Sequence, residues 1–393
     1  MKYVVLDIES TGLNRFKDEI NFIGVYYPQD KKTFVFSMPT DKDQFIRLMT
    51  KTLEKKYHFV WQNGKFDTLF IEHKLGILLP IHEDTMVLGT AYDLAAQHGL
   101  KTMAMEYLGV SDWDIGKKEK TSTDRTVVEP YLLKDLKYTW RIFNHIIQRI
   151  KEKELKIYRK LLLPAYKMFR DTERYGIYLD IEACKILKTK YEKKRKQLTS
   201  KLNELTGGQD INWKSPKQVS EYLFDELKLP AYKLTKTGNP STDAETLKRL
   251  KMKTQHPVVV TLLEYKEYDG ALTKFLNRWP KDAVNSRIHP SFGLTNVVTG
   301  RTSCSSPNLQ QVPRKRELRN LFTAPPEKVL LNFDYSQIEL RIAAHYSQDK
   351  TMLDIYRTGG DIHTKTAQTL IGAISPTKEQ RTAAKAVSRS LAA

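Results

Sequence analysis

The stretch "YVVLDIE", residues 3–9, sets two carboxylates, Asp7 and Glu9, into an apolar run of strand-forming residues. In an extended chain alternate side chains share a face, so Asp7 and Glu9 point the same way. Two carboxylates that close repel, and one holds a proton unless a cation sits between them. Hard divalent cations take oxygen ligands. A strand end carrying two solvated acids is the alternative reading. Working outward, "FIGVYY" (22–27) and "TFVFSM" (33–38) are further β-rich runs separated by turn or polar residues, and "FVWQN" (59–63) follows. Hairpin-like strands followed by mixed strands and helices predict, for residues 1–150, an α/β domain with helices packed on the faces of a sheet.

Two later segments add to the acidic pair. "WQNGKFD" (61–67) places Asn63 and Asp67 after an apolar strand. "YLLKDLKYTW" (131–140) places Tyr131 one helical turn before Asp135, so the two share a face. Asp84 in "HEDTMVLG" (82–89) belongs either with these acids or to a helix cap.

Composition sets the wider limits. The chain has 393 residues, enough for two or three domains, and 40% are hydrophobic. No apolar run has membrane-spanning length. Cys184 and Cys304 lie far apart, which predicts a reducing compartment and neither a disulfide framework nor a zinc cluster. Lys and Arg number 65 against 46 acids, a net charge of +19, which suits either solubility or attraction to a polyanion.

Residues 151 to about 206 read as helical, with a break near "RYGIYLD" (174–180). Leu187, Tyr191, Leu198, Leu202 and Leu205 fall at helical spacing, and "KKRK" (193–196) lies among them as a solvated or phosphate-tracking face. From about 284 the chain becomes loop-rich and basic. "VLLNFDYSQIELRIAAHYSQD" (329–349) then predicts an apolar strand running into a helix.

In this order, "LDIESTG", "NGKFD" and "YLLKD" resemble the three motifs of the tyrosine-containing branch of the DEDD exonuclease superfamily. The resemblance implies an RNase H-like fold and removal of nucleotides from DNA 3′ ends with two Mg2+ or Mn2+ ions. It implies Asp7, Glu9, Asp67 and Asp135 as metal ligands and Tyr131 as the residue orienting the attacking water.

"TGRTSCSSPNLQQVP" (299–313) and "DYSQIELR" (334–341) resemble signature segments of family A DNA polymerases. "FRDTERYGIYLD" (169–180), "NWKSPKQVSEYLF" (212–224) and "TKTGNPSTDAETL" (235–247) resemble the segments preceding them in that family. This implies a proofreading exonuclease domain over 1–150, a mostly helical connector and thumb over 151–285, and a partial palm with the start of the fingers over 286–393. By the same resemblance Asp334 is a catalytic metal ligand. Glu339 packs under the incoming sugar, and His363, Arg381 and Lys385 meet the incoming triphosphate. Arg301 and Gln310 contact the template-primer, and Lys193, Lys194, Arg195 and Lys196 track phosphates.

Two departures shape the expectation. The chain starts at the exonuclease segment without a 5′-nuclease domain, as in a phage-type or compact bacterial polymerase. Its match to the family stops after Val387, with Arg389 where the stacking aromatic belongs. The implied protein is the N-terminal part of a polymerase that acts on single-stranded 3′ ends and primer-template in the cytoplasm of a bacterial or phage-infected cell. Its exonuclease is intact and its synthesis lost, unless a companion polypeptide supplies the rest. A catalytically inactive DNA-binding remnant is the alternative.

Overall fold

The computed structural model describes residues 1–297, 299–372 and 374–390, with side chains for all of these except 117, 371 and 386–390. The chain divides into two compact units, residues 1–326 and 327–393. No helix among the described residues is long and apolar enough to cross a membrane.

The first unit opens with a five-stranded sheet: β1 (Tyr3–Ser10), β2 (Ile20–Tyr27), β3 (Lys32–Ser37), β4 (His58–Trp61) and β5 (Glu83–Asp84). The order is β3-β2-β1-β4-β5, with the first three strands antiparallel and β4 and β5 parallel to β1. The central position of β1 explains its sequence. Val4, Val5, Leu6 and Ile8 are all buried, because a central strand with covered faces needs apolar residues on both.

Five helices matter for the site: α1 (Lys42–Glu54), α2 (Gly64–Leu75), α3 (Thr85–Tyr92), α4 (Leu100–Leu108) and α5 (Arg125–Ile147). Asp7 pairs with Gly24 across β1 and β2. A Cβ on Gly24 would come within 2.6 Å of the Leu136 side chain and 3.0 Å of Leu132. The missing side chain therefore lets α5 lie close to the sheet opposite Asp7.

Beyond the sheet domain, a π-helical turn at Tyr158–Leu162 leads into α6 (Leu163–Tyr175). Pro164 follows directly; its ring excludes the carbonyl four residues back, and the widened turn accommodates it. Gly176 and the short strand β6 (Ile177–Tyr178) supply the break foreseen near 174–180. The long helix α7 (Ile181–Leu205) then packs along α8 (Pro257–Ala271). Their contact is lined by Leu198, Leu202, Leu262 and Tyr265 at one end, and by Tyr191 at the other. β7 (Arg287–Ile288) pairs with β6, and β8 (Ser291–Gly293) with β9 (Ser303–Ser305).

The second unit contains α9 (Ile338–Ser347), α10 (Lys350–Arg357), α11 (Ile362–Ile371) and α12 (Lys378–Ser390). The apolar strand expected at 329–333 is corrected here: those residues form no strand, and Val329 and Phe333 are 79% and 87% exposed. Among the described residues no segment pairs with them, and an isolated strand leaves its backbone donors and acceptors unmet. The expectation about Arg389 concerns a side chain outside those described.

Candidate active site

β1 and α5 bring three carboxylates together. One carboxylate oxygen from each of Asp7, Glu9 and Asp135 lies within 4.8 Å of the other two. Asp67 joins from α2, where its Oδ1 accepts the Ile8 backbone N–H at 3.1 Å, between the two acidic residues of β1. Burial pushes Asp7 well above the carboxylate range, and Asp67, Asp135 and Glu9 push it further. Burial, then Asp135, drives Glu9 up to about 8. Asp67 and Asp135 are also raised, first by burial. Such a set of crowded, desolvated oxygen donors fits a hard divalent cation, which removes the repulsion that otherwise retains protons.

The sequence did not point to the groups that hold Asp135. Lys101, in the first turn of α4, places its ammonium 2.7 Å and 2.6 Å from Asp135 Oδ1 and Oδ2 and 2.7 Å from the Tyr131 hydroxyl. The Trp113 indole N–H donates to Asp135 Oδ1 at 2.6 Å. Asp114 lies 4.0 Å from the same ammonium and pairs with Lys120 at 2.7 Å. Burial, then the charge of Asp135, raises the Tyr131 phenol, which therefore stays protonated.

Asp84 is a cap rather than a member of the cluster. Its Oδ1 accepts the N–H groups of Met86 and Val87 at 3.0 Å and 3.2 Å, and its Oδ2 accepts that of Gly64 at 2.7 Å. It thereby joins the N-termini of α2 and α3, and burial raises it only to about 6 because these donors oppose the shift.

A second buried group ties α2 to the rest of the first unit. Lys65, two residues before Asp67, forms an ion pair with Glu173 of α6, and both are buried. Glu173 Oε1 also accepts the Phe292 N–H of β8 at 2.5 Å.

The residues foreseen for synthesis are distributed differently. In the first unit Arg301 is exposed, and Gln310 donates to Thr302 O and Oγ1, both at 3.1 Å, bracing its own loop. In the "KKRK" run, Lys194 pairs with Glu264 at 3.1 Å and Arg195 with Asp269 at 3.0 Å, while Lys193 and Lys196 are exposed. In the second unit Asp334 and Glu339 are exposed, His363 is buried and Lys385 is half-buried. Arg381 makes a bidentate ion pair with Asp361, at 2.5 Å and 3.3 Å, and Gln337 donates to Asp361 at 2.7 Å. Burial opposes ionisation of Asp361, but Arg381 and the Thr364 N–H outweigh it and hold the carboxyl down at about 2.

Residues 1–151 match the family model described as 3′–5′ exonuclease, whose members depend on metal ions. Residues 181–391 match that of DNA polymerase family A, which spans more than half of the chain. The chain belongs to DNA polymerase family A and carries an exonuclease domain at its N-terminal end. It is 29% identical to DNA polymerase I of Borreliella burgdorferi, over 94% of this chain and 42% of that one. It is 31% identical to DNA polymerase I of Pseudomonas aeruginosa, over 88% and 40%, and 28% identical to the DNA polymerase of Bacillus phage SP01, over 87% and 45%. The chain thus spans less than half the length of these curated relatives. Its fold is similar to the polymerase domain of Pol1 from M. smegmatis, with a TM-score of 0.76 at 24% identity, covering 99% of this chain and 67% of that one.

Proposed function

We propose that residues 1–151 are a divalent-cation-dependent exonuclease that removes nucleotides from DNA 3′ ends, with Asp7, Glu9, Asp67 and Asp135 as the ion ligands. The observation that carries this reading is the convergence, within 4.8 Å, of carboxylate oxygens from residues 7, 9 and 135. An all-carboxylate donor set suits Mg2+ or Mn2+ better than softer metals, and four carboxylates offset the charge of two such ions. Ions held by Asp7, Glu9, Asp67 and Asp135 would supply Lewis-acid activation of the attacking water and charge to stabilise the departing 3′ oxygen. Tyr131, kept as a phenol by its surroundings, presents a hydroxyl that orients the attacking water. Trp113 fixes the carboxylate plane of Asp135 from one side. The test is digestion of 5′-labelled single-stranded DNA with Mg2+, with Mn2+ and with chelator. Ladders shortening from the 3′ end only with the ions are expected; cation-independent shortening would overturn the reading.

The second unit and the thumb helices are read as DNA- and deoxynucleotide-binding parts. Asp334, Glu339, His363, Arg381 and Lys385 serve the incoming nucleotide, and Arg301, Gln310 and the "KKRK" face serve primer-template. The family supports this, as does the likeness to a polymerase domain solved with DNA primer-template and dNTP. One observation favours a narrower reading, binding without synthesis by these 393 residues: the apolar run before Asp334 is exposed, with Leu330 60% and Leu331 73% accessible. A further polypeptide that pairs with 329–333 would then complete the synthetic site. Primer extension by the 393-residue chain alone is expected to fail, and sustained templated synthesis would overturn that reading. The bacterial and phage relatives support the cytoplasm of a bacterial or phage-infected cell as the place of action.

A further inference from the structure

The Asp135 carboxylate is already in use. Lys101 takes both of its oxygens at 2.6–2.7 Å, and Trp113 takes Oδ1 a second time at 2.6 Å. A carboxylate offers about four acceptor positions, so one remains. A divalent ion seated against Asp7, Glu9 and Asp135 would therefore share Asp135 with an ammonium whose charge repels it.

The surroundings of Lys101 give that ammonium a second place to go. Leu100, Met103 and Ala104 are buried and anchor the start of α4, so the backbone of Lys101 is held in place, and its long flexible stem can carry the ammonium to another acceptor without moving the helix. The ammonium lies over the rings of Tyr131 and Trp113, 4.2 Å and 5.1 Å from their centres. Both aromatic faces favour a cation in this vicinity. At the outer end is Asp114 Oδ1, 4.0 Å away, on a side chain 43% exposed where that of Lys101 is 18% exposed. Asp114 binds Lys120 and also shares a hydrogen bond with Tyr131, which leaves about two of its acceptor positions for a second ammonium. The Trp113 N–H would keep Asp135 oriented after the ammonium left.

We propose that Lys101 is a displaceable internal cation: its ammonium and a divalent ion compete for Asp135, and Asp114 receives the ammonium when the ion binds. The proposal rests on the reading of this cluster as a cation site. It makes Lys101 a positioning residue that sets ion affinity, not a group acting on substrate. Its consequence is opposite to that of a lysine serving only to hold the site together, because removing a competitor tightens ion binding whereas removing a strut weakens it.

The experiment is Mn2+ titration of the full 393-residue chain, followed through the electron paramagnetic resonance signal of free Mn2+, for wild type, Lys101→Met, Asp114→Asn and the double variant. Lys101→Met is expected to bind Mn2+ about tenfold more tightly, the scale on which one nearby opposite charge alters the affinity of a carboxylate for a cation. Asp114→Asn, at an exposed position that tolerates substitution, is expected to bind about threefold more weakly, because the ammonium loses its alternative partner. In the Lys101→Met background Asp114→Asn should change nothing. Unchanged or weaker binding by a Lys101→Met protein whose circular dichroism is native would overturn the proposal. Should that variant not fold, unchanged or tighter binding by Asp114→Asn would do the same. An equal loss from Asp114→Asn in both backgrounds would show that Asp114 acts on the ion directly and would overturn the handover. If wild type bound no Mn2+ at all, the cation-site reading would fall with it; if wild type bound and Lys101→Met bound no tighter, only the competition would fall.

Discussion

Two similar runs of sequence end differently. "YVVLD" at 3–7 and "VLLNFD" at 329–334 are both apolar segments leading to an aspartate. The first is the central strand of a five-stranded sheet, bonded to β2 on one side and β4 on the other. The second is not a strand, and its apolar side chains lie in solvent. The apolar content of the two runs is alike; their partners are not. A strand is made by what pairs with it, and β propensity describes only how well a residue fits once the pairing exists. The chemistry follows the same division. Asp7 is crowded by three other carboxylates and pushed upward, whereas Asp334 is exposed.

The sharpest way to break this comparison is to remove both aspartates in turn. On the proposed ligand set, Asp7→Ala should lower Mg2+-dependent digestion of single-stranded DNA about 10³-fold or more, because it would delete a shared ion ligand in a site where electrostatic stabilisation dominates. Tyr131→Phe should cost less, about 10- to 100-fold, since it removes a hydroxyl and no ligand. Asp334→Ala should leave both digestion and the melting temperature unchanged within error, as expected for an exposed side chain. A digestion rate unaltered in Asp7→Ala would remove the assignment of the site. A large loss of digestion in Asp334→Ala would show that the two regions are not separable in the way their burial suggests.

A smaller effect distinguishes the regions by pH. Glu9 is raised from 4.5 to about 8, so the folded chain holds a proton that the unfolded chain gives up. Its contribution to stability is complete below about pH 4.5 and is lost as pH rises through 8. Asp7, Asp67 and Asp135 are shifted in the same direction. Asp361 in the second unit has the opposite sign: held at about 2, it stabilises above the ordinary carboxylate range and is lost as pH falls through 2. In chelator, therefore, the melting temperature attributed to the first unit should fall by several degrees between pH 6 and 8.5. Mn2+ should restore more of it at 8.5, where protons no longer compete for the carboxylates. Equal stabilisation by Mn2+ at both pH values would mean that the cluster is not where the ion binds.

The comparison also explains what could be read in advance. Spacing alone put Asp7 and Glu9 on one strand face and Tyr131 and Asp135 on one helical turn; that these groups and Asp67 belong together was implied only by the resemblance to the exonuclease motifs. The hairpin strands were legible because alternation and turn residues are local. Lys101 and Trp113 were not, since one lysine at a helix start and one tryptophan in a loop carry no periodic signal. Their roles exist only once α4, α5 and the intervening loop are packed. Gly24 was invisible for the same reason: the side chain it lacks matters only beside Leu132 and Leu136, which lie more than a hundred residues further along the chain. The two-residue strand β5 is too short for any pattern, and its Asp84 could equally have been a ligand until its three backbone donors were seen. The run at 329–333 misled because the information that decides a strand lies in a partner segment elsewhere.

The smallest expected effect concerns the basic run on α7, where a uniform reading of four charges no longer serves. Lys194 and Arg195 are held by Glu264 and Asp269, both on α8, the helix packed against them. Arg195 is the more enclosed, with its side chain 29% exposed. These two charges are largely offset within the protein and release few counterions on meeting a phosphate. Lys193 and Lys196 face solvent and keep their full charge for a polyanion. Each phosphate neutralised on duplex DNA contributes about 0.9 to the slope of log affinity against log salt. Replacing Lys193 and Lys196 together by Ala should therefore reduce the slope for primer-template by about 1 to 2 without altering the melting temperature. Replacing Lys194 and Arg195 should do the reverse: a slope changed by less than about 0.5, and a fold weakened by about 1 kcal/mol through loss of partly buried ion pairs. Fluorescence anisotropy at four salt concentrations, with a thermal melt of each variant, separates the two. If the enclosed pair proved to govern the salt slope, the ion pairs to Glu264 and Asp269 would have to open on DNA, and α7 and α8 would shift against each other on binding it.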